Sequence, residues 1–100
     1  MSESAIVKAI LDAYAGHPRI ELWRNNTGRR GCIQFGRVGQ ADITGIMDGG
    51  RRIEIECKKA GGVTNKERKA KQTEFGDMIR KLGGLHILAE SVADVTKVLG

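Results

Sequence analysis

The residue types best suited to chemistry are two carboxylates and an ammonium group, Asp42, Glu56 and Lys58, found in the runs "ADITGIM" and "RRIEIECKK". Both runs read as strands, and "DGG", Asp48 to Gly50, is a strong hairpin turn signal between them, so they are expected to pair antiparallel. The turn lies about midway between Asp42 and Glu56, and that register alone brings the two carboxylates together. Two such charges about 4 Å apart, at an effective dielectric near 20, repel by roughly 4 kcal/mol, which forces one of them to hold a proton unless a cation sits between them. A divalent metal is the natural cation. All-oxygen ligation favours Mg²⁺ or Mn²⁺ over zinc, and such an ion polarises a phosphate and generates hydroxide from bound water. Lys58, two residues beyond Glu56 and on the same strand face, is placed to orient the attacking water and to offset negative charge in the transition state.

The strand that carries this motif has two faces. Read with period two, Ile53, Ile55 and Cys57 point one way, into a core, while Glu54, Glu56 and Lys58 point the other. A second reading of the charged face is a solvated ladder of ion pairs through Arg52, Glu54, Glu56 and Lys58, each pair worth well under ~1 kcal/mol.

The elements that must position these groups are short. With 100 residues the chain has room for one small domain, 1–100, around a single core. A hydrophobic fraction of 40% and a single proline indicate a folded chain rather than a disordered one. Apolar runs are too short for a membrane span, and "MSESAIVKAILDAYAG" lacks a signal peptide's basic head and continuous apolar stretch, so the expected compartment is the cytoplasm. Cys32, Cys57, His17 and His86 have no zinc spacing, and both thiols are read as reduced.

Helical spacing of Ile6, Ala9, Ile10, Ala13 and Tyr14 predicts a first helix, capped by Ser2 or Ser4 and stopped by Gly16. Glu3 falls on or beside its buried face, and the plainest role for it is a first-turn acid that complements the helix dipole. "RIELW" reads as a strand and "RNNTGRRG" as a loop, while "CIQFGRVGQ" is either a hairpin arm or an ordered loop. After the hairpin, "TNKERKAKQTEFGDMIRKLGG" opens with Thr64 and Glu67 in capping-box register and carries an apolar stripe of Phe75, Met78, Ile79 and Leu82. "LHILA" is a strand. "SVADVTKVLG" is a last helix with Ser91 as its cap and Val92, Val95, Val98 and Leu99 facing inward. The expected order is αβββαβα, an α/β fold with a mixed four-stranded sheet flanked by helices; the helix between the third and fourth strands lets those two run parallel.

Asp42, thirteen intervening residues with a turn, and then Glu56-Cys57-Lys58 resemble the PD-(D/E)XK nuclease superfamily, with its restriction-endonuclease-like core. With "RNNTG", "GQAD", "IEIECKK", Gln72 in "KQTEF" and "LGG" before an apolar strand, the chain resembles the VRR-NUC (virus-type replication-repair nuclease) family along nearly its whole length. The resemblance implies that Glu3, Asp42, Glu56 and the backbone carbonyl of Cys57 hold the metal. It also implies that Lys58 is the catalytic lysine and that Gln72 belongs to the site. Gln72 lies three residues before Phe75 on one helix face, and a buried amide left unpaired is costly, so it should hydrogen-bond, either into the site or as a structural amide. Ala41 stands where the superfamily name has proline, a position that supplies backbone shape and no ligand. Lys59 points away from Glu56, and Glu54 has no counterpart in the motif, so its removal is expected to be milder than that of Glu56 or Lys58.

Charge points to the partner. From Arg24 to Lys71 there are twelve Lys/Arg against five Asp/Glu, a balance of +7, which leaves −2 elsewhere in a chain of net charge +5. Such a block suits nucleic acid, although a basic surface that only confers solubility is the plain alternative. Arg29, Arg30, Lys59, Lys66, Arg68, Lys69 and Lys71 are the expected phosphate contacts, with Arg37, Arg51 and Arg52 in loops around the hairpin; they set affinity without reading sequence. Four aromatics are too few for a platform that stacks successive bases, which favours shape readout of duplex or branched DNA.

Short free-standing members of the family occur in phages and bacteria and look like dimeric Holliday-junction-resolving enzymes, which makes a homodimer the expectation here. The segment Gly28 to Gly39, with Cys32, Ile33 and Phe35, is the candidate contact. Neither a membrane nor an organic cofactor is expected. The competing readings are a basic nucleic-acid-binding protein without catalysis, or a nuclease acting on flaps or linear duplex.

Overall fold

The computed structural model of the chain describes residues 1–25, 28–30, 33–35, 37, 39–62 and 65–100, with backbone alone for 28–30 and 33–35. Its elements are α1 (Glu3–Tyr14), β1 (Ile20–Arg24), β2 (Gly28–Arg30), β3 (Ile33–Phe35), β4 (Ile43–Met47), a single 3₁₀ turn (Asp48–Gly50), β5 (Arg51–Cys57), α2 (Lys66–Lys81), β6 (Leu85–Ala89) and α3 (Val92–Leu99). A four-stranded sheet runs in the order β1-β4-β5-β6, and β2 and β3 form a separate two-stranded ribbon. The ambiguous segment is thus a hairpin arm, and its partner strand, Gly28–Arg30, lies within the run expected to be a loop.

The hairpin forms as its turn residues dictate. Gly49 and Gly50 take φ of 83° and 77°, which other residues rarely adopt, and the chain reverses so that Ile43 pairs with Ile55 and Thr44 with Glu54. β5 and β6 are parallel, with Glu54 opposite His86 and Glu56 opposite Leu88, because α2 crosses over between them.

Each sheet face is covered by different helices. Ile43, Ile53, Ile55, Cys57, Ile87 and Ala89 form the main core with Ile6, Val7, Ile10 and Tyr14 of α1 and Val95 of α3. On the opposite face α2 seats Phe75 and Ile79 beside Ala41. Gly76 permits that close approach, since a Cβ there would stand 2.9 Å from the His86 ring nitrogen Nδ1.

Several details depart from sequence expectation. In α1, Val7 is buried and Ala13 is exposed. Ser2 caps that helix, its hydroxyl accepting from the Ala5 amide at 3.1 Å. Thr64 lies outside the described residues; the cap of α2 is Asn65, whose Oδ1 accepts from the Arg68 amide at 2.8 Å. Leu82 is 76% exposed rather than part of the stripe, because α2 ends at Lys81 and the chain turns away through Gly83. Val98 is likewise exposed on α3. Ser91 makes no side-chain cap bond; Asp94 instead accepts from the Glu90 amide at 2.8 Å.

The largest departure is Glu54. Its place on the charged face is as read, but α2 covers that part of the face, and the side chain is 0% exposed. One oxygen meets Arg52 Nε at 2.9 Å, while the other has no hydrogen-bond partner among the described residues. It is a buried ion pair with a half-exposed partner, not one rung of a solvated ladder.

Candidate active site

The antiparallel register of β4 and β5 puts Asp42, just ahead of β4, beside Glu56 near the end of β5. Beyond the Ile43–Ile55 pair the ladder is continued by a side chain: Asp42 Oδ2 accepts the Cys57 amide at 2.8 Å. The Asp42 backbone carbonyl turns the other way and accepts from the Asn25 amide at 2.8 Å, which anchors the residue between two strands. Glu56 is 4% exposed and lies close enough to Asp42 to feel its charge.

Burial, and then the charge of Asp42, push the Glu56 carboxyl from its ordinary 4.5 up to about 8, against the smaller opposing pulls of Arg68 and Lys58. The shared proton inferred from repulsion alone is therefore held by Glu56. The same surroundings push the Cys57 thiol up to about 12, mainly through burial, with Asp42, Glu56 and Glu3 adding to it.

α2 supplies the roof. Gln72 is buried one turn ahead of Phe75 and Gly76, and its Nε2 donates to Glu56 Oε1 at 2.8 Å. The amide that sequence spacing required to be satisfied is satisfied inside the site. Beside it opens a cleft of about 170 Å³, lined by Glu56, Lys58, Lys69, Gln72, Arg80 and His86 among others. Lys58 thus shares the cleft with Glu56, and its backbone amide is tied to Ala89 at 2.9 Å.

Arg80 and His86 were not singled out from sequence. Arg80 follows Gln72 by two helical turns and so lies on the same stripe, and His86 occupies the β6 position opposite Glu54. Arg80 approaches His86 Nδ1 at 3.4 Å, and burial, reinforced by that guanidinium, lowers the imidazole's pKa so that the ring stays neutral.

The remaining expected site residues are placed as follows. Glu3 is exposed in the first turn of α1, near enough to act on Cys57 electrostatically. Among the described residues no group of three or more His, Cys, Asp or Glu side chains converges as a metal site, so Asp42 and Glu56 stand together without Glu3 closing a triad. Lys59, Lys66, Arg68, Lys69 and Lys71 are all exposed, and Lys71 pairs loosely with Glu74 at 3.8 Å. The side chains of Arg29 and Arg30, like Cys32 and the side chains of Ile33 and Phe35 in the expected dimer segment, lie outside the described residues. Of the three arginines expected in loops, Arg51 and Arg52 lie instead in β5, paired with Met47 and Ile46 of β4, and all three are engaged internally. Arg37 lies over the Phe75 ring, Arg51 donates to the Gly83 carbonyl, and Arg52 pairs with Glu54.

The donor set fits a hard divalent cation. The buried Glu56 carboxyl holds its proton beside Asp42 at a strand end, and a cation in that proton's place would meet oxygens of both side chains, the ligand chemistry such ions prefer.

A mixed sheet β1-β4-β5-β6 with an acid pair at the hairpin's open end, a lysine two residues on and a helical crossover is a restriction-endonuclease-like core. Among solved structures the chain is similar to a "VRR_NUC domain", with a TM-score of 0.65 and 20% identity over 97% of this chain and 92% of that one. The chain therefore has the VRR-NUC fold over nearly its whole length, as the motifs implied. No protein-family model matches the sequence, and no curated protein matches it.

Proposed function

We propose that the protein is a Mg²⁺- or Mn²⁺-dependent, structure-selective DNA endonuclease that hydrolyses phosphodiester bonds. The observation that carries this reading is the Asp42–Glu56 carboxyl pair, braced by Gln72 and opening onto the cleft that Lys58 lines. Asp42 and Glu56 would hold the cation with the Cys57 carbonyl; Glu3, the further ligand the family resemblance implies, lies exposed in the first turn of α1 and does not join them in a three-carboxylate group. A divalent cation bound there supplies Lewis-acid polarisation of the scissile phosphate and a more acidic water. Gln72 fixes the orientation of the Glu56 carboxyl, and Glu56 releases its proton as the cation is taken up. Lys58 orients the attacking water and offsets charge as it builds on the phosphate.

Charge placement supports DNA as the partner. Lys66, Arg68 and Lys69 occupy the first turn of α2, the end at which the helix dipole favours anions and disfavours cations by roughly 0.3–1 kcal/mol each. Cations retained there are better explained by phosphates than by helix stability. A homodimer with two sites would suit paired cuts in a four-way junction, and the Gly28–Gly39 segment remains the proposed contact.

Incubating the chain with a four-way junction, a flap, linear duplex and single strands, each with Mg²⁺ or chelator, tests the proposal; no metal-dependent cleavage of any of them refutes it. Lys69→Ala with Lys71→Ala should weaken binding and reduce the slope of log affinity against log salt by about 2, one per lost phosphate contact. An unchanged slope would place those lysines off the DNA.

A further inference from the structure

The catalytic face of the sheet continues past the acid pair onto β1, and there it carries the chain's one tryptophan. Residues opposite one another in register share a face, so Trp23, Thr44 and Glu54 form one row across β1, β4 and β5. The next row holds Asn25, Asp42 and Glu56, with the Asn25 amide hydrogen-bonded to the Asp42 carbonyl. α2 covers the β5 part of this face but not the β1 edge, and Trp23 is left 47% exposed. Beside it lies a cleft of about 300 Å³, lined by Trp23, Asn25, Gln40, Thr44, Ile46 and Arg52 among others. It has one aromatic wall, two side-chain amides and a guanidinium at its rim.

Resting on the nuclease reading above, we propose that this cleft is a subsite for one unpaired nucleobase of the substrate DNA, stacked on Trp23, next to the phosphate held at Asp42 and Glu56. Trp23 is one strand and two residues from Asp42, which by strand geometry is roughly 8 Å between Cα atoms. Successive nucleotides in a duplex rise about 3.4 Å, so that offset reaches a base roughly two or three positions from the cut. An indole face takes any base, which needs no sequence motif; the Asn25 Nδ2 is held by the Ala41 carbonyl and the Thr44 hydroxyl, Gln40 Oε1 by the Arg37 amide and Arg52 Nε by Glu54, which fixes the walls and leaves Asn25 Oδ1, Gln40 Nε2 and the outer guanidinium nitrogens to face base edges and backbone. Four aromatics cannot line a platform for successive bases, but one exposed indole suffices for one base. A fully paired duplex has no free base to offer, so the subsite selects DNA with an unpaired or frayed nucleotide near the cut.

Because Trp23 is the sole tryptophan, its fluorescence reports the site directly. Binding is measured in chelator with the Glu56→Gln variant, so that no cleavage intervenes. Single-stranded and flap DNA should quench the emission, whereas blunt duplex should bind with little quenching. Trp23→Ala should weaken binding to flap DNA by about 5- to 100-fold, the range of a single base–aromatic stack, and leave duplex binding unchanged. Trp23→Phe should retain most of the affinity, and circular dichroism of both variants checks the fold. A single abasic position in the flap should remove the quenching at one place in the strand. Equal quenching by duplex, equal loss of both DNAs in Trp23→Ala, or no abasic position with an effect would each overturn the subsite. These readouts need no catalysis, so a chain that stacks bases but never cuts would refute the nuclease reading alone, and one that cuts without them would refute the subsite alone.

Discussion

The proton on Glu56 has a measurable cost. In the unfolded chain this carboxyl ionises near 4.5, whereas in the fold burial and the charge of Asp42 hold it protonated to about 8. Below pH 4.5 both states are protonated and the group makes no difference to stability. Between 4.5 and 8 the unfolded chain releases the proton and the folded one keeps it, so stability falls with rising pH at up to about 1.4 kcal/mol per pH unit. The full span corresponds to roughly 5 kcal/mol, and relaxation of the site with entry of water reduces this to about 2–5 kcal/mol. About 2.5 of those 3.5 pH units fall between pH 5.5 and 8.5, which for a chain of this size is a drop in Tm of at least roughly 5 °C in chelator. Glu56→Gln mimics the protonated carboxyl in shape and can still accept from Gln72 and donate to Asp42, so its melting temperature should stay high at pH 8.5. His86 works in the opposite sense: burial lowers its pKa, so its contribution is lost as pH falls below the unfolded value near 6.5, and it is common to both proteins. The thiol of Cys57, pushed up to about 12, costs stability only above its ordinary 9.0, outside the range. The difference between wild type and variant therefore isolates Glu56. Mg²⁺ added at pH 8.5 should restore the wild type, because the cation replaces the proton, and should leave the variant unmoved. Thermal unfolding followed by circular dichroism decides the matter: a parallel fall in both proteins, or a wild type more stable at pH 8.5, refutes the shared-proton account.

Three further outcomes follow from the same geometry. Gln72→Ala leaves Glu56 Oε1 without its donor, so chemical denaturation should show a loss of about 1–3 kcal/mol, and cleavage should fall even at saturating Mg²⁺; unchanged cleavage would make Gln72 purely structural. Glu54→Ala leaves a cavity at a fully buried site, while the half-exposed Arg52 passes to water, so it should cost about 2–4 kcal/mol by denaturant midpoint, more than Lys58→Ala, while leaving metal affinity intact. Cys57 is buried with a strongly raised pKa, so in a Cys32→Ser background at pH 8 it should resist maleimide labelling until denaturant is added; rapid labelling in the native state would show that β5 opens locally.

Much of the site was legible because it depends on local rules. A two-glycine turn between alternating runs sets the hairpin register, and register alone brings Asp42 to Glu56, whichever helices cover the sheet. Helical spacing put Gln72 on the face of Phe75, and the cost of an orphaned amide then demanded the partner that Glu56 provides. The parallel pairing of β5 and β6 followed from the helix between them. Period-two alternation tells which residues share a face but not what lies over that face. Glu54 and Trp23 stand in one row, yet α2 seals the first away from water and stops short of the second. Which carboxyl keeps the proton, why Leu82 is exposed and where Arg80 and His86 meet the cleft were settled by the placement of α2 over β5 and β6. That docking depends on contacts between segments far apart in the chain, such as Gly76 against His86, and no local pattern in the sequence encodes their distance.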